Sequence, residues 1–355
     1  NYPPGAFTQS GTGGSFVGTA YTFDSTNINN TLWAWGNGWA GQPGLNSQTE
    51  YSSPVQVGSD STWDKVLRAG TDNSLQAIQK TDGSTYVWGY AADGRLGLGD
   101  EVWKSSPTQL PGNWHNIGGN DGSSGGTKTD GTLWTWGGAG AYAHNNTTQR
   151  SSPVQVGSDT TWSIDYMDSF TAPFMATKTD GTLWMWGANT YGTLGQNSRT
   201  VYSSPIQVGG GTDWKRTAGT SQSVAAIKTN GTLWVWGRNN YGQLGQNSTI
   251  TYSSPVQIPG TTWNLIRSDG KASWGIKTNG TLWAWGENNN RGWLGQNNNT
   301  NYSSPIQIPG TTWVDLDMGD KGVIATKTDG TLWSWGYGAK GALGQNQGAP
   351  STLYS

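Results

Sequence analysis

His115 and His144 are the only histidines in this chain of 355 residues, and they stand in different sequence units without matching partners. A zinc site draws two to four converging histidine, cysteine or carboxylate ligands, so this pair predicts no metal centre. Cysteine is absent, which removes disulfides, thiolate nucleophiles and cysteine-ligated zinc. The H-E-x-x-H and G-x-x-x-x-G-K-[ST] patterns are missing too, and with them zinc proteases and phosphate loops. Gly122-Ser123-Ser124-Gly125-Gly126 matches G-x-S-x-G in letters, but no helical pattern follows it as a nucleophile elbow requires. Gly209, Gly210 and Gly211 lack the lysine that would follow in a phosphate cradle, and read as a turn. Asp130, Asp180 and Asp329 each precede Gly-Thr, where a short carboxylate caps a hairpin turn rather than carrying a proton. The expectation is a protein without enzymatic activity, cofactor or metal.

Binding chemistry is easier to place. Of 23 tryptophans, four fall outside repeated positions: Trp39, Trp103, Trp274 and Trp293. Trp274 lies within an apolar run and is expected in the core. Trp39, Trp103 and Trp293 fall in loops, near Arg95, Lys104 and Arg291. Exposed aromatics beside arginine suit protein or sugar contacts, so Trp39, Arg95, Trp103, Arg291 and Trp293 are candidate partner-binding residues. Trp39 and Trp103 belong to consecutive units and are expected to share a patch, with Trp293 further away. A second candidate set is a turn whose residues vary between units: Asp72, Asp121 and Phe170, with Ser221, Lys271 and Lys321 at near-equivalent places.

The elements that must hold these residues are stated by a repeat. NGTLWVWG at 230–237 recurs as DGTLWTWG (130–137), DGTLWMWG (180–187), NGTLWAWG (279–286) and DGTLWSWG (329–336), with looser copies at 82–89 and 29–36. The closing glycines are Gly36, Gly89, Gly137, Gly187, Gly237, Gly286 and Gly336, so the chain is an array of units of about fifty residues. One unit reads as strands over 252–258, 263–267, 272–277 and 282–285, with Pro259-Gly260 as a turn and Asn279-Gly280 as a type I′ hairpin. Four antiparallel strands in each of seven units predict an all-β, seven-bladed β-propeller over 1–355. The first unit lacks its Ser-Ser-Pro strand, and 349–355 reads as a shortened copy of one. The expectation is a ring closed by this C-terminal strand pairing into the N-terminal blade.

Composition narrows the partners. Charged residues make up 12% of the chain and the formal net charge is −2. Nucleic-acid binding requires a basic stripe, and none is present. No apolar run reaches membrane-span length, and residues 1–4 show no leader pattern of charge followed by apolar residues. The partner expected is a protein or a glycan, with no nucleic acid and no membrane insertion.

The run from Trp236 to Gly245, W-G-R-N-N-Y-G-Q-L-G, has relatives at 186–195 and 285–295. This W-G-x-N-x-x-G-x-L-G signature resembles the regulator of chromosome condensation family of seven-bladed propellers, and the resemblance covers essentially the whole chain. It implies a fold rather than an activity. Family members include a nucleotide-exchange factor on chromatin, proteins of ubiquitin transfer, and bacterial binding proteins. Founder repeats place a histidine before the third strand; here 73–74, 123–124, 222–223 and 272–273 read Asn-Ser, Ser-Ser, Gln-Ser and Ala-Ser. The near-identical, Asn- and Thr-rich units look more like bacterial or phage versions. The function expected is an interaction or structural module, extracellular or on a cell or virion surface. The alternatives are an exchange-factor-like regulator of a small GTPase, or an enzyme with its site at a central channel.

Overall fold

The structure, a computed structural model, describes residues 7–10, 15–19, 31–36, 38–49, 51–68, 75–119, 122–138, 143–144, 146, 148–163, 173–220, 222–288, 292–318, 322–337 and 353–354. Its sheets are antiparallel meanders, each contiguous in sequence. Trp263–Ser268, Ala272–Lys277, Leu282–Gly286 and Tyr302–Ile308 form one sheet in that order. Seven sheets are present; six have four strands, and the seventh, from Phe174–Thr177 to Tyr202–Gln207, has three among the described residues. The chain divides into two compact units, Asn1–Asp165 and Tyr166–Ser355. The first holds three sheets and the second four. No helix of the described residues is long and apolar enough to cross a membrane.

All four predicted strands of the sample unit exist, but they are grouped differently. Tyr252–Ile258 completes the preceding sheet, where Ile258, Gln257 and Val256 lie opposite Leu233, Trp234 and Val235. Side chains alternate across a strand, so this register matches aliphatic to aliphatic on one face and glutamine to tryptophan on the other. The Pro259-Gly260 turn then leads to the inner strand of the next sheet. The described strands do not show the predicted closure. Leu353–Tyr354 pairs within its own sheet, Tyr354 opposite Gly336 and Leu353 opposite Tyr337. The first sheet takes its outer strand from Tyr51–Gln56 instead.

The hairpin turns also differ from expectation. Gly280 has φ +74°, whereas Asn279 is not left-handed, and the Gly280 amide donates to the Lys277 carbonyl at 2.9 Å. This is a type I turn followed by a left-handed glycine, which makes a G1 bulge. Asn279 has another task. Its Oδ1 accepts from the Thr281 amide and hydroxyl, and the Thr281 hydroxyl accepts from Trp283 Nε1 at 2.9 Å. The same relay runs through Asp130, Thr132 and Trp134, and through Asn230, Thr232 and Trp234. It explains why the repeat reads Asp/Asn-Gly-Thr-Leu-Trp.

Tryptophans supply the core, unequally. The second tryptophan of the W-x-W strand is fully buried at Trp136, Trp186, Trp236 and Trp285, as is Trp88 in the looser copy Tyr86-Val87-Trp88. Those of the inner strands (Trp63, Trp114, Trp214, Trp263 and Trp313) are buried as well, as are Trp162 and Trp274. The first tryptophan of the W-x-W pair is only half-buried in Trp134, Trp184, Trp234 and Trp283. It shares a lysine with the inner-strand tryptophan. Lys228 Nζ, for example, lies 4.7 Å from the Trp214 ring and 5.2 Å from that of Trp234.

Neighbouring sheets are stitched by the buried indoles. Trp88, Trp136, Trp236, Trp285 and Trp335 donate through Nε1 to the carbonyls of Gln42, Arg95, Thr193, Gln243 and Trp293 at 2.7–2.9 Å. The acceptors all lie about one unit upstream, in the loop after the preceding W-x-W strand. The loops that carry Thr193, Gln243 and Trp293 are built by a buried asparagine, Asn189, Asn239 and Asn288. Asn239 Nδ2 donates to the Ser248 and Ile250 carbonyls, while its Oδ1 accepts from the Leu244 amide. Gly242 in the same loop has φ +80°, and a Cβ there would stand 2.5 Å from Ser303 Cα.

Candidate functional site

Within Asn1–Asp165, three loops bring aromatic side chains to one surface. Trp39 sits in a turn closed by the Gly41 amide on the Gly38 carbonyl at 2.8 Å. Tyr90 directly follows the strand Thr85–Gly89, and Trp103 directly precedes Lys104–Leu110. The Trp39 and Trp103 rings meet edge to face with centroids 5.3 Å apart, and Tyr90 lies 5.2 Å from Trp39 and 4.9 Å from Trp103. Trp39 is 38% exposed and Trp103 40%, beside an exposed Val102. Rings at these separations and tilts are in mutual contact, so they form a platform rather than an open cage.

The loop carrying Trp103 is fixed by its own polar groups. Asp100 Oδ1 accepts from the Val102 amide at 2.9 Å, and Lys104 Nζ lies 3.0 Å from Asp100 Oδ2. The Lys104 hydrogen bond holds the Asp100 carboxyl below its usual range. The Gly99 amide donates to the Ser151 carbonyl at 2.8 Å, and Gln149 donates to the Glu101 carboxylate.

Arg95 underlies the platform instead of flanking it, which corrects its predicted place as an exposed contact. Its guanidinium packs 4.8 Å from the Tyr90 ring centroid, Nε donates to the Ala92 carbonyl at 2.9 Å, and the Asp93 carboxylate lies 3.2 Å away. Trp293 is likewise buried rather than a surface anchor. Both occupy the variable position of G-x-L-G, whose carbonyl takes the indole of the following sheet. Gln42, Thr193 and Gln243 hold that position elsewhere and are buried too. The side chain there is turned inward whatever its type.

Arg291, Asp72, Asp121 and Phe170 lie outside the described residues, as do Ser221 and Lys321. From the variable turn, Lys271 is described. The Asp269 carboxylate caps that turn, accepting from the Lys271 and Ala272 amides at 2.8 and 2.7 Å. Burial pushes the Asp269 carboxyl up, and Lys271 Nζ lies 3.6 Å from Glu287. The interactions are those of a local turn. His144 shares a 3.0 Å hydrogen bond with the Thr135 hydroxyl, and burial pushes its imidazole down. Among the described residues no three His, Asp or Glu side chains converge as a metal site would need.

Tyr90 was missed by the sequence reading. Its signal was available, since it is an aromatic in the first position after W-x-W-G, within reach of two loop tryptophans.

The all-β architecture of meander sheets tied by tryptophan is that of a repeat β-propeller. Residues 180–227, 230–266 and 279–325 match the family described as regulator of chromosome condensation (RCC1) repeat. The chain is similar to the structure of human WBSCR16, with 19% identity, TM-score 0.74, and coverage of 92% of this chain and 88% of that one. It is similar also to Prp20p of Saccharomyces cerevisiae, a structure described with binding properties to Gsp1p and histones. There the identity is 15% and the TM-score 0.72, over 90% of this chain and 81% of that one. At these identities the likeness is one of fold.

Proposed function

We propose that the protein is a non-catalytic interaction module in which a rigid propeller of seven blades displays the Trp39, Tyr90 and Trp103 platform to a protein partner. The observation that carries this reading is the exposure of two tryptophans packed against each other and a tyrosine on a buried arginine. Tryptophan and tyrosine dominate the energetics of protein contacts because they desolvate large areas with few rotatable bonds. The apolar Val102 beside the platform suits a protein surface more than a sugar. Low charge and polar loops fit display on a cell or virion surface, and the near-identical units fit a bacterial or phage-encoded version.

The test compares wild-type protein with the W39A/W103A variant in pull-downs from the native host. A partner retained by wild type and lost from the folded variant supports the reading. Retention by both overturns it. Loss of the wild-type signal after glycosidase treatment assigns the platform to a glycan instead.

A further inference from the structure

The lysine clamped between two aromatic rings is completed in two different ways. Lys228 Nζ, held between Trp214 and Trp234, lies 2.9 Å from the Asp213 carboxylate. Lys80, held between Trp63 and Tyr86, lies against the carboxylate of Asp60. Lys128 is clamped likewise, 5.2 Å from the Trp114 ring centroid and 3.6 Å from that of Trp134. Its turn, however, reads Pro111-Gly112-Asn113. Asn113 is the backbone equivalent of Asp213, because its carbonyl accepts from the Thr129 amide as that of Asp213 does from Thr229. A neutral amide therefore stands where a carboxylate answers Lys228. Among the described residues no carboxylate lies within ion-pair distance of Lys128 Nζ.

A groove of about 290 Å³ opens beside this ammonium, within Asn1–Asp165. Leu98, Pro111, Trp134, Ser152 and Pro153 line it together with Lys128. Its walls are fixed by hydrogen bonds. Trp114 Nε1 donates to the Pro111 carbonyl at 3.0 Å, which holds the Pro-Gly turn, and Trp134 Nε1 donates to the Thr132 hydroxyl at 2.7 Å. Ser152 is exposed, whereas Trp134 and Lys128 are half-buried. The groove is thus mostly apolar, with one cation and one hydroxyl, the make-up of a small-molecule site.

We propose that this groove binds an acidic sugar, a hexuronic acid, whose carboxylate takes the place on Lys128 that Asp213 takes on Lys228. The chain itself supplies the template, since the same clamp holds a carboxylate in two other sheets. A charge-assisted hydrogen bond to the ammonium orients the acid. The indole and the two prolines offer apolar surface to the C–H face of the sugar ring, and the Ser152 hydroxyl is placed for its polar edge. An extended acidic peptide fits less well. The strand Leu133–Gly137 is paired on both sides, so it offers no free backbone for a strand to join. The site is independent of the aromatic platform.

The experiment titrates the full chain, labelled with nitrogen-15, with glucuronate, glucose, acetate and N-acetylglutamate in turn. It reads the indole N–H resonance of Trp134, assigned from Trp134→Phe. A saturable shift is expected with glucuronate, and binding at least about tenfold weaker with each of the other three, the worth of one charged hydrogen bond or one stacked face. Lys128→Gln and Asn113→Asp should each weaken glucuronate at least about tenfold. The first removes the cation, and the second supplies the carboxylate from within the chain. Asn113 is exposed, so its variant should fold, and a thermal midpoint no lower than that of wild type checks this. No saturable shift with glucuronate, equal binding of glucose, or undiminished binding by Asn113→Asp overturns the proposal. Equal binding of acetate overturns it too, since the groove then takes an adventitious ion only. Equal or tighter binding of N-acetylglutamate overturns the sugar and assigns the groove to an acidic peptide.

Discussion

The Nε1 of Trp335 donates to the main-chain carbonyl of Trp293 at 2.8 Å. The geometry has little to do with the Trp293 side chain, since arginine, threonine and glutamine offer the same carbonyl to Trp136, Trp236 and Trp285. What the contact fixes is the backbone of one loop against the core of the next sheet.

The two tryptophans of one W-x-W strand should therefore respond differently to truncation. Trp236→Ala empties a fully buried site and strands the Thr193 carbonyl, at an expected cost of ~3–5 kcal/mol. Trp234 is half-buried, and Trp234→Ala should cost about 1–3 kcal/mol. Urea unfolding of both variants checks the order; equal losses would contradict the assignment of inner and outer positions.

Arg95 should prove structural. Arg95→Ala removes its bond to the Ala92 carbonyl and its packing on Tyr90, with an expected loss of about 1–3 kcal/mol. Arg95→Lys should recover little, because an ammonium cannot reproduce a planar guanidinium stacked on a ring. Denaturant midpoints of the two variants decide it, and a fully stable lysine variant would refute the stacking argument.

Trp39 and Trp103 should be coupled. Their edge-to-face pair at 5.3 Å predicts a coupling energy of ~0.5–1.5 kcal/mol in a double-mutant cycle with alanine. Additive effects on unfolding would mean that the two rings do not form one platform in solution.

Asp60 predicts an acid-sensitive contact in the second sheet. The hydrogen bond from Lys80 lowers its carboxyl from 3.8 to about 2. A depressed carboxylate stabilises the fold above its unfolded pKa and loses that contribution as pH falls through the folded one, so the window runs from about 4 down to 2. The pair is partly exposed and solvent screening keeps the stability effect small. An NMR titration should place the Asp60 midpoint near 2 and return it toward 3.8 in Lys80→Met.

Strands were legible because each is announced locally, by paired tryptophans, Ser-Ser-Pro or a glycine-closed hairpin. Their grouping was not. A repeat of four strands can be cut at four places, and nothing local says whether Tyr252–Ile258 pairs forward or back. Its pairing to Leu233–Gly237 is a tertiary choice of register. The adjacency of Trp39 and Trp103 followed from their places in consecutive units. Arg95 and Trp293 lie in loops and are nevertheless buried, since loop membership does not entail exposure. Aligning them with Gln42, Thr193 and Gln243, polar residues all buried at the same place, shows a position set by the next sheet.

The meander order has a consequence for synthesis on the ribosome. Every described four-stranded sheet is one uninterrupted stretch of chain, so its hydrogen bonds can close as soon as its last strand emerges. Each stitching indole, such as Trp236 or Trp285, finds its carbonyl acceptor in a loop already translated. Within each compact unit the protein can grow vectorially, every new sheet docking on a finished predecessor and leaving only its newest edge uncovered.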